Sequence, residues 1–314
     1  VEVVTGDALY VDRVLAAVYD GPIDTNSYGY QAVILERLPS IENGDAQLFP
    51  KSVFIGDEVV DAGGTPVTLG VGVKIRPAGC RSEACVIEYD GRSGNQMDQM
   101  QVTFNILPGL TWSDGEPLTA EDSVYAYQVA ADPASSGSRF LVDRTQSYEA
   151  ADETTLQWWG KPGFIDPTYF TNFWSPLPEH LWSQIPVDQL SETGESARAP
   201  LGWGPFIIQE WVPGDHITLT KNPRYFRTGE GLPKFDILTF RFVTDPETAI
   251  SDLLAGSCDI LDPGILLDGQ ARLLRSMADQ NQLQALFTTV PVMEELALGI
   301  QPASYDNGFD NGQD

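Results

Sequence analysis

The residues that could do chemistry in this chain are few, and they do not form a pattern typical of a catalytic centre. Neither of the two histidines, His180 and His216, has a serine or cysteine nucleophile motif beside it. The sequence contains no G-x-S-x-G elbow, no phosphate-binding P-loop, no G-x-G-x-x-G fingerprint and no H-E-x-x-H zinc motif. Enzymatic catalysis therefore lacks a candidate centre.

Carboxylates are too numerous to identify an acid–base pair. The chain has 45 Asp and Glu residues, so some pair will lie at a distance suited to glycoside hydrolysis by chance alone. Asp306, Asp310 and Asp314 do not follow the calcium-loop pattern D-x-[DN]-x-[DN]-G. We interpret these acidic residues as solvated surface charges. We expect neither a metal nor an organic cofactor.

Cys80 and Cys85 are separated by four residues, a spacing that can close a tight loop. A metal site would need two further ligands, but both histidines lie far away in the sequence. We therefore favour a disulfide over two free thiols, and with it an oxidising, extracytoplasmic compartment. Cys258 is interpreted as a packed thiol rather than a nucleophile.

Charge and composition exclude several classes of partner. The formal net charge is -27, which repels phosphate backbones and argues against nucleic acid as a ligand. The longest apolar runs fall far short of the roughly 20 residues needed to cross a bilayer. A hydrophobic content of 42% over 314 residues is typical of a globular chain with one large domain or two medium ones.

Hydrophobic periodicity predicts the elements that would hold these residues in place. Helical spacing predicts a helix over residues 11–19, and period-two alternation predicts a strand over 101–107. Thr119 is expected to cap a helix whose buried face is formed by Ala120, Val124, Tyr127 and Ala131. Short β-like runs between residues 40 and 100 predict a loop-rich β subdomain.

The second half of the chain alternates between strand and helix patterns, which indicates an α/β layer with some parallel pairing. The first predicted element is a hairpin, whose first strand ends at Trp211 and whose second strand covers 217–220. A strand over 238–242, a helix over 247–255 and a strand from 259 follow. The last predicted elements are a helix over 266–278 and strands over 283–290 and 294–300.

Residues 104–125 contain W-S-D-G-E-P-L-T-A-E-D between a strand pattern and a V-Y-A-Y helix pattern. This segment resembles the signature of family 5 bacterial extracellular solute-binding proteins, the oligopeptide- and dipeptide-binding components of ABC transporters. Three further segments, 18–21, 200–206 and 249–260, are similar to the same family in the same order.

The resemblance implies an α/β fold, with a lobe like that of a type II periplasmic binding protein, a mixed sheet and an inserted loop-rich β subdomain. Residues 1–20 and 179–300 would form the first lobe, and residues 21–178 the inserted subdomain. Residues 301–314 would be an acidic linker towards a second lobe that is absent from this sequence.

The resemblance also implies a function without covalent chemistry. Such a protein captures a peptide between two lobes and presents it to the permease subunits of an ABC importer. A monomer, an extracytoplasmic location and a lipid anchor are implied as well.

Three alternatives stay open. Oligosaccharide or nickel capture within the same family is one, because the aromatic-rich stretch over 158–182 would suit sugars too. A secreted hydrolase would require a paired, water-accessible carboxylate or serine site. A surface-adhesion domain is favoured only if the aromatic residues prove wholly buried.

By the same resemblance, the segment containing Thr5, Gly6, Asp7 and Ala8 corresponds to a first-lobe edge that touches the ligand. Arg139 falls where some relatives place an aromatic contact, and this difference weakens the expectation of a peptide-specific pocket. Trp203 is a third candidate contact, although its segment is equally consistent with a turn of the core.

Overall fold

The computed structural model describes residues 2–5, 10–26, 29–92, 94–262, 265 and 267–287, and the chain divides into two compact units, 1–267 and 268–314. The strands are β1 Glu2–Thr5, β2 Ile23–Asn26, β3 Gly29–Ala32, β4 Ala46–Ser52, β5 Glu58–Val60, β6 Pro66–Thr68, β7 Lys74–Ile75, β8 Ile87–Glu88, β9 Gln96–Asn105, β10 Thr145–Ala150, β11 Thr155–Gly160, β12 Phe206–Val212, β13 His216–Lys221, β14 Ile237–Phe242 and β15 Ile260–Leu261. The helices are α1 Tyr10–Val18, α2 Ala120–Ala131, α3 Glu179–Trp182, α4 Gly194–Ala197, α5 Pro246–Ala255 and α6 Ala271–Asp279. No helix among these described residues is long and apolar enough to cross a membrane.

A mixed sheet joins the beginning of the chain to its second half. Its strand order is β12-β13-β14-β1-β15, and β1 runs parallel to both of its neighbours while the other pairs are antiparallel. Alternating residues on β13 and β14 face α1, because period two places every second side chain on one face. The buried core of this sheet consists of Val14, Ala17, Val18, Phe206, Ile217, Leu219, Leu238 and Phe240.

A second sheet is wholly antiparallel, with the order β10-β11-β9-β4. Its core is rich in aromatic residues and includes Phe104, Trp112, Trp158, Phe173 and Trp203. The aromatic stretch over 158–182 contributes to this core through Trp158 and Phe173, and Tyr169 and Trp174 pack against it. Trp158, Phe173 and Trp182 are buried and the other rings of the stretch are half-buried, so fewer of them lie in the core than predicted.

Residues 53–95, which we call the disulfide module, connect β4 to β9. The module contains the short strands β5 to β8, and Cys80 is bonded to Cys85 with their Cα atoms 5.8 Å apart. It has a core of its own, made of Val53, Val59, Leu69, Ile75, Tyr89 and the Met97 side chain of β9.

Two expectations about the first half need correction. Strand β9 begins at Gln96, well before the predicted start, because Asp98, Gln99 and Gln101 are buried and mask the alternation. Helix α2 has a wider buried face than predicted, because Asp122 and Ser123 are also buried with interior hydrogen-bond partners. Ala120 of the predicted face is buried, and Val124 and Tyr127 are half-buried against the same core.

The end of the described chain also differs from expectation. Residues 283–287 are not a strand and are in none of the sheets of the described chain. The rest of that predicted strand, the strand over 294–300 and the linker over 301–314 lie outside the described residues. The predicted helix over 266–278 is a 3-10 turn over Leu267–Gln270 followed by α6.

Candidate functional site: the carboxyl edge of the mixed sheet

Three parallel strands end at the same edge of the mixed sheet. Thr5 at the end of β1 is paired in register with Phe242 at the end of β14, and Val4 is paired with Leu261 of β15. Helices α1 and α5 follow β1 and β14 in the chain, so both begin on this side of the sheet. In open α/β sheets, ligands bind in the crevice outside the carboxyl ends of the strands.

The loop after β14 places a capped helix start at this edge. Asp245 is the N-cap of α5, and its Oδ2 accepts hydrogen bonds from the Thr248 amide at 2.8 Å and the Thr248 hydroxyl at 2.6 Å. Pro246 follows at the first helical position, where its missing N–H costs nothing. The hydrogen bond from the Thr248 hydroxyl, with that from its amide, lowers the pKa of Asp245.

Two ion pairs hold the helices to the strands at the same side. Arg13 of α1 contacts Asp262, which follows β15, with Nε 2.9 Å from Oδ2. Arg241 of β14 contacts Asp252 of α5 with Nη2 2.6 Å from Oδ2. Asp262 is buried whereas the Arg13 side chain is 49% exposed, so part of the guanidinium faces solvent. These contacts fix the edge and leave a charged hydrogen-bond donor beside it.

Of the residues predicted to contact ligand, Thr5 lies at this edge, at the end of β1. Gly6, Asp7 and Ala8 lie outside the described residues. Their contact with ligand stays a prediction.

Arg139 lies in a different part of the fold, in the exposed loop after α2. Its Nη1 donates to the Ala131 carbonyl at the end of α2 at 2.8 Å, and its Nη2 lies 3.2 Å from Asp143 Oδ1. A cation at the carboxyl end of a helix complements the helix dipole. The structure thus gives Arg139 a capping contact, and its predicted ligand contact is untested.

Trp203 is 1% exposed and its indole is surrounded by protein. Its ring lies 4.9 Å from that of Tyr19 and 5.4 Å from that of Trp112, measured between centroids. The indole Nε1 donates to the Asp20 carbonyl at 3.2 Å. Trp203 therefore packs in the interior, and its role as a ligand contact stays a prediction.

Segments that carry the family resemblance converge around Trp203, in a region that we call the joint. The Gly204 amide donates to the Val18 carbonyl at 2.7 Å, and the Ser113 amide donates to the Gly202 carbonyl at 2.9 Å. The segments 18–21, 112–117 and 200–206 thus meet where the two sheets adjoin. The specific spacing of these motifs reflects close packing in the fold rather than chemistry.

Two residues of the joint were missed by sequence reasoning. The Tyr225 hydroxyl donates to the Asp20 carboxylate, and burial raises the pKa of Tyr225 far above its usual range. Arg224 donates from Nη1 to the Ser113 carbonyl at 3.0 Å. The turn pattern Asn222-Pro223 was recognised, but nothing in it indicates long-range partners.

A buried carboxylate organises the start of α2. The Asp122 Oδ2 accepts the Thr119 amide at 2.9 Å and the Trp112 indole Nε1 at 3.3 Å, and Oδ1 accepts the Glu179 amide at 3.3 Å. Burial raises the pKa of Asp122. This arrangement satisfies the donors at the start of the helix and of the indole.

The histidines are paired with carboxylates. His180 Nε2 lies 2.9 Å from Asp114 Oδ2, and His216 Nδ1 lies 2.9 Å from Asp215 Oδ2. The hydrogen bond to Asp215 raises the pKa of His216. Within the part of the chain that the structure describes, no group of three or more His, Cys, Asp or Glu residues could hold a metal ion.

Several relatives of this chain are peptide-binding proteins by name. It is 29% identical over 161 residues to the oligopeptide-binding protein AppA of Bacillus subtilis, a match that covers 50% of this chain and 29% of that protein. A Brucella ovis protein named as an ABC transporter peptide-binding protein is 33% identical over 164 residues, covering 51% of this chain and 30% of its own length. The chain thus spans about 30% of the length of the curated relatives it matches.

A solved structure with a similar fold is the oligopeptide-binding protein of Thermus thermophilus complexed with a pentapeptide. The TM-score is 0.52 at 16% identity, and the match covers 81% of this chain and 40% of that chain. The predicted fold class, a lobe like that of a type II periplasmic binding protein with a mixed sheet, is confirmed. Residues 93–297 match the model of bacterial extracellular solute-binding proteins, family 5. The chain belongs to this family of solute-binding proteins.

Proposed function

We propose that this chain supplies the first lobe of an extracytoplasmic binding protein that captures peptides and delivers them to the permease of an ABC importer. Membership of the family supports solute binding, and the names of the relatives support a peptide as the solute. The observation that carries the proposal for this chain is the meeting of Thr5, Phe242 and Leu261 at one carboxyl edge.

In this proposal, residues 1–20 and 179–300 form the lobe and residues 21–178 form a subdomain inserted into it. The two sheets draw their strands from these ranges, since all strands of the mixed sheet lie in the first set and all strands of the antiparallel sheet in the second. The working protein would be a monomer that is held outside the cytoplasm by a lipid anchor.

The edge would recognise the main chain of the ligand. Peptide main chains offer the same donors and acceptors whatever their side chains, so hydrogen bonds from a strand end and its following loop bind many sequences. Gly6 follows Thr5 directly, and the absence of a side chain there would let the ligand backbone approach closely. Closure of a second lobe over this edge would complete the site.

The proposal is tested by calorimetric titration of the full-length native protein with a pool of synthetic tri- to pentapeptides. Gly6→Val is expected to weaken peptide binding by about tenfold or more, because a branched side chain blocks main-chain approach. Gly70→Val, in the disulfide module where an added side chain meets no atom within 4 Å, is the matched control and should retain native affinity.

Equal affinities of the two variants would overturn the placement of the ligand at this edge. Absence of any heat with the native protein, when a library of oligosaccharides does give heat, would overturn the peptide assignment.

A further inference from the structure

A cavity of about 410 Å³ lies between the disulfide module and the loops that flank the antiparallel sheet. Its volume is within the range of small-molecule sites, roughly 300–1,000 Å³. The lining comes from the module turn over 61–64, from Arg76, from Phe140 and Arg144, and from residues 163–165. None of these residues belongs to the carboxyl edge described above.

The charged side chains that line this cavity are mostly basic, whereas the chain as a whole is acidic. Its charged lining residues are Asp61, Arg76 and Arg144, whereas the whole sequence has 45 acidic and 18 basic residues. The Asp61 Oδ1 accepts the amides of Gly63 at 2.8 Å and Thr65 at 2.9 Å, so this carboxylate is bound by its own turn. The two guanidinium groups therefore dominate the polar part of the cavity.

Arg144 has no carboxylate partner among the described residues, despite the excess of acidic side chains. Its guanidinium donates instead to two neutral carbonyls, those of Phe140 at 3.0 Å and Gly64 at 2.7 Å. A guanidinium has five N–H donors, so these two bonds leave donors for another acceptor. Because these carbonyls are neutral, the guanidinium keeps its charge and can still bind an anion.

Arg76 is held at the same turn as Arg144. It donates to the Ala62 carbonyl at 3.0 Å, two residues from the carbonyl that Arg144 contacts, so the two guanidinium groups are near neighbours. Arg76 also pairs with Glu83, whose side chain is 82% exposed. Arg76 therefore already has a carboxylate partner, and Arg144 is the cation of this cavity without one among the described residues.

Aromatic rings form the wall beside these cations. The Arg144 Cζ lies 4.0 Å from the centroid of the Phe140 ring and 5.9 Å from that of Phe164. This stacking orients the planar guanidinium group of Arg144 and leaves its N–H edge available to a planar anion. Phe140 is 58% exposed, which places a large apolar ring at the mouth of the cavity with little protein covering it.

We propose that this cavity binds a small organic carboxylate with a flat apolar group, with the carboxylate on Arg144 and the ring against Phe140 and Phe164. The bidentate fork of arginine matches the two oxygens of a carboxylate. This site is separate from the peptide-binding edge and does not depend on the function proposed for that edge.

Benzoate and its neutral isostere benzamide test the charge requirement on the 314-residue chain by calorimetric titration. Benzoate is expected to bind about tenfold or more tightly than benzamide, and its affinity should fall as salt is added. Acetate, which has no ring, should bind more weakly than benzoate. Equal binding of benzoate and benzamide, or no binding of benzoate, would overturn the proposal.

Variants distinguish ligand binding from a purely structural contact of Arg144 with the module. Arg144→Gln should reduce benzoate affinity about tenfold, whereas Arg92→Gln, at an exposed arginine of the module outside the cavity, should not change it. Phe140→Leu removes the ring that stacks on Arg144 and would contact the ligand ring, so it should weaken benzoate more than acetate. Native benzoate affinity in both Arg144→Gln and Phe140→Leu would show that the cavity is not the site.

Discussion

At the scale of single residues, the acidic motif of α2 has a structural function that its pattern only partly reveals. Thr119 and Asp122 have the spacing of a capping pair, and the Asp122 carboxylate does accept the Thr119 amide. The same carboxylate also reaches Trp112 and the amide of Glu179, which are contributed by other segments. The sequence predicts the local bond because it depends on spacing, but the other two bonds depend on the tertiary fold.

We predict that Asp122→Asn lowers the free energy of unfolding by about 1–3 kcal/mol near neutral pH. An asparagine offers one acceptor oxygen, so its NH₂ group would face a buried N–H donor. Urea unfolding measures the loss, and Glu121→Gln, an exposed residue on the same turn, is the matched control.

The same variant should change the pH dependence of stability. Because the pKa of Asp122 is raised in the folded state, that state binds the proton more tightly than the unfolded chain does. Its contribution to stability is therefore greatest at low pH and declines as pH rises from about 4 through the raised pKa. Asp122→Asn should remove this decline, and an unchanged pH profile would contradict the assignment.

At the scale of elements, the disulfide module combines short strands with a small core. Strands β5 to β8 have two or three residues each, too few to be stable as isolated hairpins. Six buried side chains and the Cys80–Cys85 bond hold them together. The module is tied to the antiparallel half by the Val60 amide, which donates to the Pro162 carbonyl at 2.8 Å.

We predict that replacing both cysteines, Cys80→Ser with Cys85→Ser, lowers the free energy of unfolding by about 2 kcal/mol, the entropy cost of freeing a short closed loop. Hydrogen exchange should show the loss mainly within residues 53–95. The native chain treated with reductant should have the same free energy of unfolding as the variant, and reductant should not change that of the variant. A native mass that fails to rise by about two hydrogens on reduction would show that the thiols are free in solution.

The elements that sequence reasoning located well are those with one buried face. Strand β14 and helix α5 lie within a residue of their predicted bounds, because one side of each packs on a core and the other meets solvent. The prediction for strand β9 was too short, since Met97 packs into the core of the module while Met100 and Val102 pack into the aromatic-rich core on the opposite face. Periodicity cannot identify an element whose two faces are both buried.

At the scale of the whole molecule, the joint explains why the family motifs are specific although they contain no reacting group. The backbone of Gly204 lies against Val18, and the Trp203 ring lies between Tyr19 and Trp112. The sequence identified the family through these segments, but it could not place the ligand edge. That edge is defined by the register of β1 with β14 and β15, a long-range pairing that no local pattern encodes.

We predict that Gly204→Ala destabilises the chain by about 1–3 kcal/mol, because overpacking forces the backbone to shift. An added Cβ would lie 2.4 Å from the Val18 carbonyl oxygen and 2.6 Å from its carbon, and neither is a flexible side-chain atom. Gly137→Ala is the control, since its Cβ would meet only the Ser135 Oγ at 3.6 Å. Comparable urea midpoints for the two variants would contradict the close packing of the joint.

The disulfide module leaves and re-enters the antiparallel sheet at neighbouring positions. Ser52 and Gln96 are partners in the β4–β9 pair, and such partners lie only about 5 Å apart. A gene could therefore gain or lose the intervening segment without moving any strand, because a tight hairpin turn can close the same gap. The module is therefore a closed excursion of the chain, which enters and leaves the sheet at one residue pair.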